Sequence, residues 1–469
     1  MAEVVYLHVA PRGEDAEGPG ASYPVLPVGA VGICNRLVAA GFEVLGFNVP
    51  VERLVDPRFR LDTWLPAQEA PALVLMDLHW AEHALGVVDA VPRIRAAWPE
   101  SRIVVGGLTA TRFSDELLAL SPELDAILAG DAEEPVLALA EGRAAPNVVV
   151  RGSARPATWR TSREDYEALN TVDLAWLAHA SVYRRMPHSR PPRSPGRAEW
   201  SGQWIANGRG CAFECDYCGG SRSAQERLSG LRGLLRRSPQ ALAADVARLV
   251  EQGVHQVALT LDPDMLGPAH REPFFAALRG RTGFYVESFQ LPSEPLLDAL
   301  AVKADPEHTE LALTPLSGNR AVRRRNGKHY DNDALIARLD AVYARDLSAF
   351  VFFSLNLPGE DDQTLSETID LARRLLDRAP RGRLRVANIC HSLDPGSPMA
   401  EDPVAFGIAE TRFRTLADWV ALGRQPRPWT FYEGERGFSV TGRDLAEMVS
   451  RWDAFCEGYN GLVIAVPRV

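Results

Sequence analysis

The sequence predicts an α/β protein with two parallel-sheet domains in tandem, a Rossmann-like domain followed by a partial (β/α)6 barrel, and a small helical C-terminal region. Three observations carry this. Two separate series of short apolar runs alternate with segments of helical spacing, the pattern of strands buried on both faces by crossover helices. A proline- and arginine-dense stretch, from Arg184 to Pro195, divides the two series. Three of the six cysteines lie within eight residues, directly after the first strand of the second series.

Residues 1–150 form the first domain. Val4-Val5-Tyr6-Leu7-His8-Val9 is a strand, followed by a Gly/Pro-rich loop from Pro11 to Pro27 and a helical stretch from Val28 to Ala40. Further strands fall at 42–47, 73–76, 103–105 and 126–128, and helical patterns at 84–97, 115–120 and 133–141 separate the later ones. Ligands of such sheets bind beyond the carboxyl ends of the strands. Gly106-Gly107 and Gly130 sit there, either to let backbone approach a large flat ligand or simply to turn the chain tightly.

Residues 151–200 read as a connector with short helical patterns at 163–169 and 173–178. Its arginines form a solvated surface or meet a ligand anion. The barrel spans 201–400. Strands are expected at 203–207, 254–261, 283–289, 310–314, 349–355 and 384–391, with helices at 240–251, 271–278, 294–301, 331–343 and 363–376. Chemistry in this architecture gathers at the carboxyl ends of the strands. Helical patterns at 410–421 and 442–459 occupy the last segment, 401–469. The intervening Arg424–Tyr432 stretch of arginines and aromatics is expected to form a hydrophobic seam or to cap the site.

The chain has 469 residues, 46% hydrophobic and 24% charged, with a formal net charge of −10. Nothing in that balance favours nucleic acid. No apolar run reaches bilayer length and no signal-peptide pattern opens the sequence, so a cytoplasmic protein is expected. Thiols there stay reduced, which disfavours a disulfide framework.

Cys211, Cys215 and Cys218 are spaced C-x3-C-x2-C. Three thiolates from one loop can hold three irons of a [4Fe–4S] cube and leave the fourth open. A structural zinc site is normally closed by four ligands. The next histidine after the loop is His255, well beyond it.

This motif, with Tyr217 just before the last cysteine, resembles the signature of the radical S-adenosylmethionine (radical SAM) superfamily. The resemblance implies that Cys211, Cys215 and Cys218 ligate the cluster, that the open iron binds SAM, and that Tyr217 lies against the adenine. Asp262 and Asp264 take the place of the family's Gly-Gly-Glu-like segment, facing the methionine ammonium. Glu287 and Ser288 suit the ribose hydroxyls, Ser317 ends the fourth strand, and Arg323 offers a clamp for the methionine carboxylate. Asn356 begins a segment similar to the family's adenine-side loop. The sixth rim segment runs from His391 to Pro398.

With a five-stranded domain ahead of it, the chain resembles the subgroup with an N-terminal cobalamin-binding domain. That implies a cobalamin site at Gly106, Gly107, Thr109, Gly130 and Glu133. Asp77-Leu78-His79 resembles the cobalamin motif of methionine synthase-type domains, but Glu82 stands in place of its final glycine and the motif follows the third strand. His79 is therefore not assigned to cobalt. The activity implied is cobalamin-dependent C-methylation of a small molecule, with electrons from a flavodoxin or ferredoxin. The alternatives are a radical SAM rearrangement, oxidation or cyclisation without cobalamin, and a cluster-binding protein without turnover.

Overall fold

The computed structural model describes residues 3–10, 24–154, 156–185, 200–411, 413–424, 438–440, 445–459 and 463–464. Residues 11–23 of the Gly/Pro loop, the proline-rich part of the connector and all of the Arg424–Tyr432 stretch after Arg424 lie outside them. The chain forms two compact units: Met1–Tyr183 with Ser223–Arg232 and Arg412–Pro428, and Arg184–Arg222 with Gly233–Thr411 and Trp429–Val469.

The first unit is built on a six-stranded sheet of β1 (Val4–His8), β2 (Val44–Asn48), β3 (Leu73–Asp77), β4 (Arg102–Gly106), β5 (Ala126–Leu128) and β6 (Val148–Val149), in the order β2-β1-β3-β4-β5-β6. Five strands are parallel; β6, which the pattern did not reveal, runs antiparallel to β5. All five residues of β1 and of β3 are buried, as expected where helices cover both faces. Helices Val28–Ala39, Ala84–Ala97 and Glu133–Ala140 supply crossovers.

The expected helix at 173–178 is instead a turn with a parallel bridge from Leu177 to Gly46. The Trp176 ring lies over Gly46, where any β-carbon would strike it, and its indole N–H donates to Asn35 Oδ1 at 3.0 Å. These tertiary contacts override local helical spacing.

In the second unit a two-residue ribbon, β8 (Gly208–Arg209) and β9 (Leu235–Arg236), follows β7 (Gly202–Ile205). β7 begins an all-parallel sheet continued by β10 (Gln256–Leu259), β11 (Gly283–Ser288), β12 (Glu310–Leu316), β13 (Ser348–Ser354) and β14 (Leu384–Ile389). The short β17 (Val463–Ile464) adds a seventh, parallel strand beside β14. Helices Pro239–Glu251, Pro268–Ala277, Glu294–Lys303, Asn332–Ala344 and Asp362–Arg378 connect the strands. Several start on side-chain caps, among them Ser238, Ser293, Asp331 and the capping box at Asp361. This is the expected partial barrel.

The C-terminal helix expected at 410–421 begins later. Ile408–Thr411 is strand β15, paired antiparallel with β16 (Phe438–Val440), and the helix runs Leu416–Gly423 behind the Thr415 capping box. Leu445–Cys456 is helical. Among the described residues no helix is long and apolar enough to cross a membrane.

Candidate active site

The cysteine loop leaves the carboxyl end of β7 through Asn207. This buried side chain binds the Leu261 carbonyl through Nδ2 at 2.7 Å, and its Oδ1 accepts from the Leu261 N–H at 2.8 Å and the Thr260 hydroxyl at 2.9 Å. The ends of β7 and β10 are thereby fixed before the loop begins. Two further segments hold the loop from outside. Asn326 Oδ1 accepts from the Asp216 N–H at 3.1 Å, and Arg325 pairs with the Asp216 carboxylate at 2.6 Å. From beyond β14, Asp394 Oδ2 accepts from the Gly219 N–H at 3.4 Å and the Met399 N–H reaches the Asp216 carbonyl at 3.0 Å.

All three thiols are half-buried. Backbone N–H groups of Phe213 and Gly220 point at the sulfurs of Cys211 and Cys218, at 3.4 and 3.3 Å. Burial raises all three thiol pKa values, Cys215 to about 11. The cation of Lys328 pulls back on Cys211 and Cys215, while Asp394 pushes Cys218 further up. The sulfurs of Cys211, Cys215 and Cys218 do not all lie within 4.8 Å of one another, so at least one pair is wider than that. Thiolates on one tetrahedral zinc sit roughly 3.8 Å apart, from Zn–S bonds of about 2.3 Å. At least one pair of sulfurs exceeds that spacing.

Tyr217 stacks on the His391 ring with centroids 4.0 Å apart and a tilt of 31°. It packs against Leu316, Val322 and Leu357 on one side and Leu393, Met399 and Ile408 on the other. Leu316 holds a left-handed backbone at φ 69°, beside a register break between β12 and β13. Such strain in a non-glycine residue persists only where the surroundings enforce it.

The structure adds a residue that the sequence reading passed over. Lys328 is 3% exposed; its Nζ donates to the Phe289 carbonyl at 2.5 Å and the Thr314 hydroxyl at 3.0 Å. Burial lowers its pKa, opposed by Cys215, Asp262, Cys211 and Glu287, in that order. This one cation therefore faces two of the thiols and two of the expected SAM-facing acids. Its place in the sequence, after a run of three arginines and a glycine, gave no sign of it.

Asp262 is buried, and its carboxyl is pushed up to about 6 by that burial, against the N–H groups of Phe289 and Asp264, each at 2.9 Å. Glu287, also raised by burial, accepts from the Tyr285 hydroxyl at 3.0 Å. Ser288 is buried, and its Oγ has no hydrogen-bond partner among the described residues.

The other expected SAM contacts are engaged in holding the rim. Asp264 pairs with Arg271 and accepts from the Ser293 N–H at 2.7 Å. Ser317 meets Thr368 at 3.3 Å and receives the Asn319 N–H. Arg323 is fully buried, donates to the Gly318 carbonyl and Asn332, and lies 5.3 Å from the Tyr330 ring. Asn356 clamps both the N–H and the carbonyl of His391.

At the carboxyl end of the first sheet, Gly107 has φ 115° and a β-carbon there would lie 2.7 Å from the Leu78 carbonyl. Gly130 has φ 88° and abuts the Trp159 carbonyl, with its N–H donated to Thr111 Oγ1 at 2.9 Å. Internal backbone packing thus already requires both glycines, whereas a β-carbon at Gly106 would meet only the Leu128 β-carbon, at 4.0 Å. Thr109 donates to the His79 carbonyl at 2.9 Å, and buried Glu133 accepts from Thr161 at 2.7 Å. A flat ligand could rest on the backbone at Gly106; Thr109 and Glu133 hold the flanking loops.

Residues 207–372 match the family model described as the radical SAM superfamily. The chain therefore carries a radical SAM domain, and its cysteine loop lies within the matched residues. The fold is similar to that of the radical S-adenosylmethionine methyltransferase TsrM from Kitasatospora setae with cobalamin and [4Fe–4S] cluster bound. That likeness has a TM-score of 0.69 at 16% identity and covers 100% of this chain and 93% of that one. It is also similar to the cobalamin-dependent S-adenosylmethionine radical enzyme OxsB with aqua-cobalamin and S-adenosylmethionine bound, with a TM-score of 0.60 at 12% identity over 97% and 67%. At these identities the likeness speaks for the fold. No curated protein matches the sequence.

Proposed function

We propose that this radical SAM enzyme is a cobalamin-dependent C-methyltransferase acting on a small molecule. One observation supports the radical half of the reading: three half-buried thiols lie at the barrel rim, with Lys328 facing two of them, Cys211 and Cys215, and the acids Asp262 and Glu287. Cys211, Cys215 and Cys218 hold the cluster. When bound, the cluster supplies the electron for SAM cleavage and cobalamin supplies a transferable methyl group.

Asp262, once ionised, receives the SAM ammonium in a charge-assisted hydrogen bond. Glu287 and Ser288 take the ribose hydroxyls, and Tyr217, backed by His391, forms one wall for the adenine. Asp264, Ser317, Arg323 and Asn356 keep the rim loops in register. Lys328 offsets the negative charge that thiolates and acids concentrate there. The cobalamin half is supported by the fold likeness over the whole chain.

The test is anaerobic reconstitution with iron, sulfide and hydroxocobalamin. The reading expects iron–sulfur and corrin absorbance, and methyl transfer from labelled SAM to a substrate. Cys215→Ala should lose the cluster absorbance. A Cys215→Ala protein that keeps it would refute the cluster assignment, and a chain that retains no corrin would remove the cobalamin part.

A further inference from the structure

The closest gathering of potential metal ligands among the described residues lies far from the cysteines in sequence, in the first unit. His8, the last residue of β1, Asp77, the last of β3, and His83, in the short 3₁₀ turn Ala81–His83, place their ligand atoms within 4.8 Å of one another. All three are buried, with His8 0%, Asp77 6% and His83 1% exposed. The His8 and His83 ring centroids are 4.9 Å apart, nearly edge to face.

A buried carboxylate is costly unless its oxygens are satisfied. Only one of Asp77's oxygens is provided for. Oδ1 accepts from the Tyr6 hydroxyl at 2.6 Å and contacts His8 Nδ1 at 2.9 Å. Oδ2 is buried and has no hydrogen-bond partner among the described residues. The carboxylate is thus gripped through one oxygen and has an unpartnered second one, in a group whose ligand atoms include a nitrogen of each of two imidazoles.

We propose that His8, Asp77 and His83 form a site for a divalent first-row transition ion, zinc being the best match. Two imidazoles and a carboxylate are a donor set such ions accept. Ligand atoms sharing one tetrahedral zinc are about 3.3 Å apart, from bonds of about 2.0 Å, so small side-chain rotations close the site. The ion would tie the turn after β3 to the end of β1. That turn carries His79, and the Leu78 carbonyl within it is the atom against which Gly107 is packed. The proposal does not depend on the cluster reading, because none of its ligands belongs to the barrel.

The test uses the full chain with Cys211, Cys215 and Cys218 all replaced by serine, purified without cobalamin and stripped with chelator, so that neither iron nor corrin competes. Cobalt(II) is then added under argon and followed by its visible absorption, with zinc measured by mass spectrometry. The expected result is one equivalent of either metal per chain, with cobalt bands typical of nitrogen and oxygen ligation. His83→Gln and His8→Gln should each weaken binding by at least about tenfold, while circular dichroism shows both variants folded. A folded parent that binds neither metal overturns the proposal and leaves the triad a hydrogen-bonded clamp. Full binding retained in both folded variants overturns it equally, since the metal then sits elsewhere.

Discussion

Asp262 offers the most direct test of how the rim recognises SAM. Burial raises its carboxyl to about 6, and the two N–H groups that favour the charged form, from Phe289 and Asp264, only partly offset this. At pH 7 the group is then ionised about ten to one, and at pH 5 the ratio reverses. Only the carboxylate attracts the SAM ammonium. Affinity for SAM should therefore fall about tenfold between pH 7 and pH 5, a range in which an exposed aspartate near its ordinary pKa stays ionised.

Asp262→Asn should weaken binding at pH 7 by about 10- to 100-fold, from the roughly 1.5–3 kcal/mol of a hydrogen bond to a charged group, and should flatten the profile. Stability should move the other way. A carboxyl whose folded pKa is raised contributes most at low pH, and that contribution is lost as pH rises through about 6. The asparagine variant should then be no less stable than the parent at pH 8, and more stable by up to roughly 3 kcal/mol. Equilibrium dialysis of labelled SAM against cluster-loaded protein from pH 5 to 8, with parallel thermal melts, measures both. An asparagine variant with parental affinity and the same pH slope would refute the role given to this carboxylate.

Lys328→Met should lower the reduction potential of the loaded cluster by an amount on the order of tens of millivolts, since a nearby cation favours the reduced, more negative form; an EPR-monitored redox titration, with Lys328→Arg restoring the potential, checks it. Arg385 pairs through Nε, at 3.1 Å, and through a second nitrogen with Glu310, which is fully buried and whose carboxyl pKa burial raises. Arg385→Ala should cost about 3–5 kcal/mol by stranding that carboxylate, read as a drop in urea midpoint. Gly107→Ala, which combines a positive φ with a β-carbon 2.7 Å from the Leu78 carbonyl, should cost about 2–3 kcal/mol and lower Tm.

All but β6 and β17 of the strands in the two large sheets were legible, because parallel strands buried on both faces read as continuous apolar runs; β1, β3 and β13 are examples. The cysteine loop was legible because its three cysteines lie within eight residues of chain. The same kind of reading went astray at 173–178 and 410–421. There helical spacing was present, but Trp176 over Gly46 and the pairing of β15 with β16 fixed other conformations.

Residue types at short spacing thus determined the α/β class, the two series of strands and the thiol triad, because each depends on periodicity or adjacency along the backbone. Tertiary structure alone decided which polar side chains face the thiols and which brace the rim. Lys328 faces Cys215 across more than a hundred residues of chain, and His8 meets Asp77 and His83 across about seventy. Arg323, which the resemblance implies as an anion clamp, donates through one nitrogen to Gly318 and Asn332, while Nε and Nη1 are buried without a partner among the described residues. A charge acts through distance in space and the dielectric around it, and a linear sequence records neither.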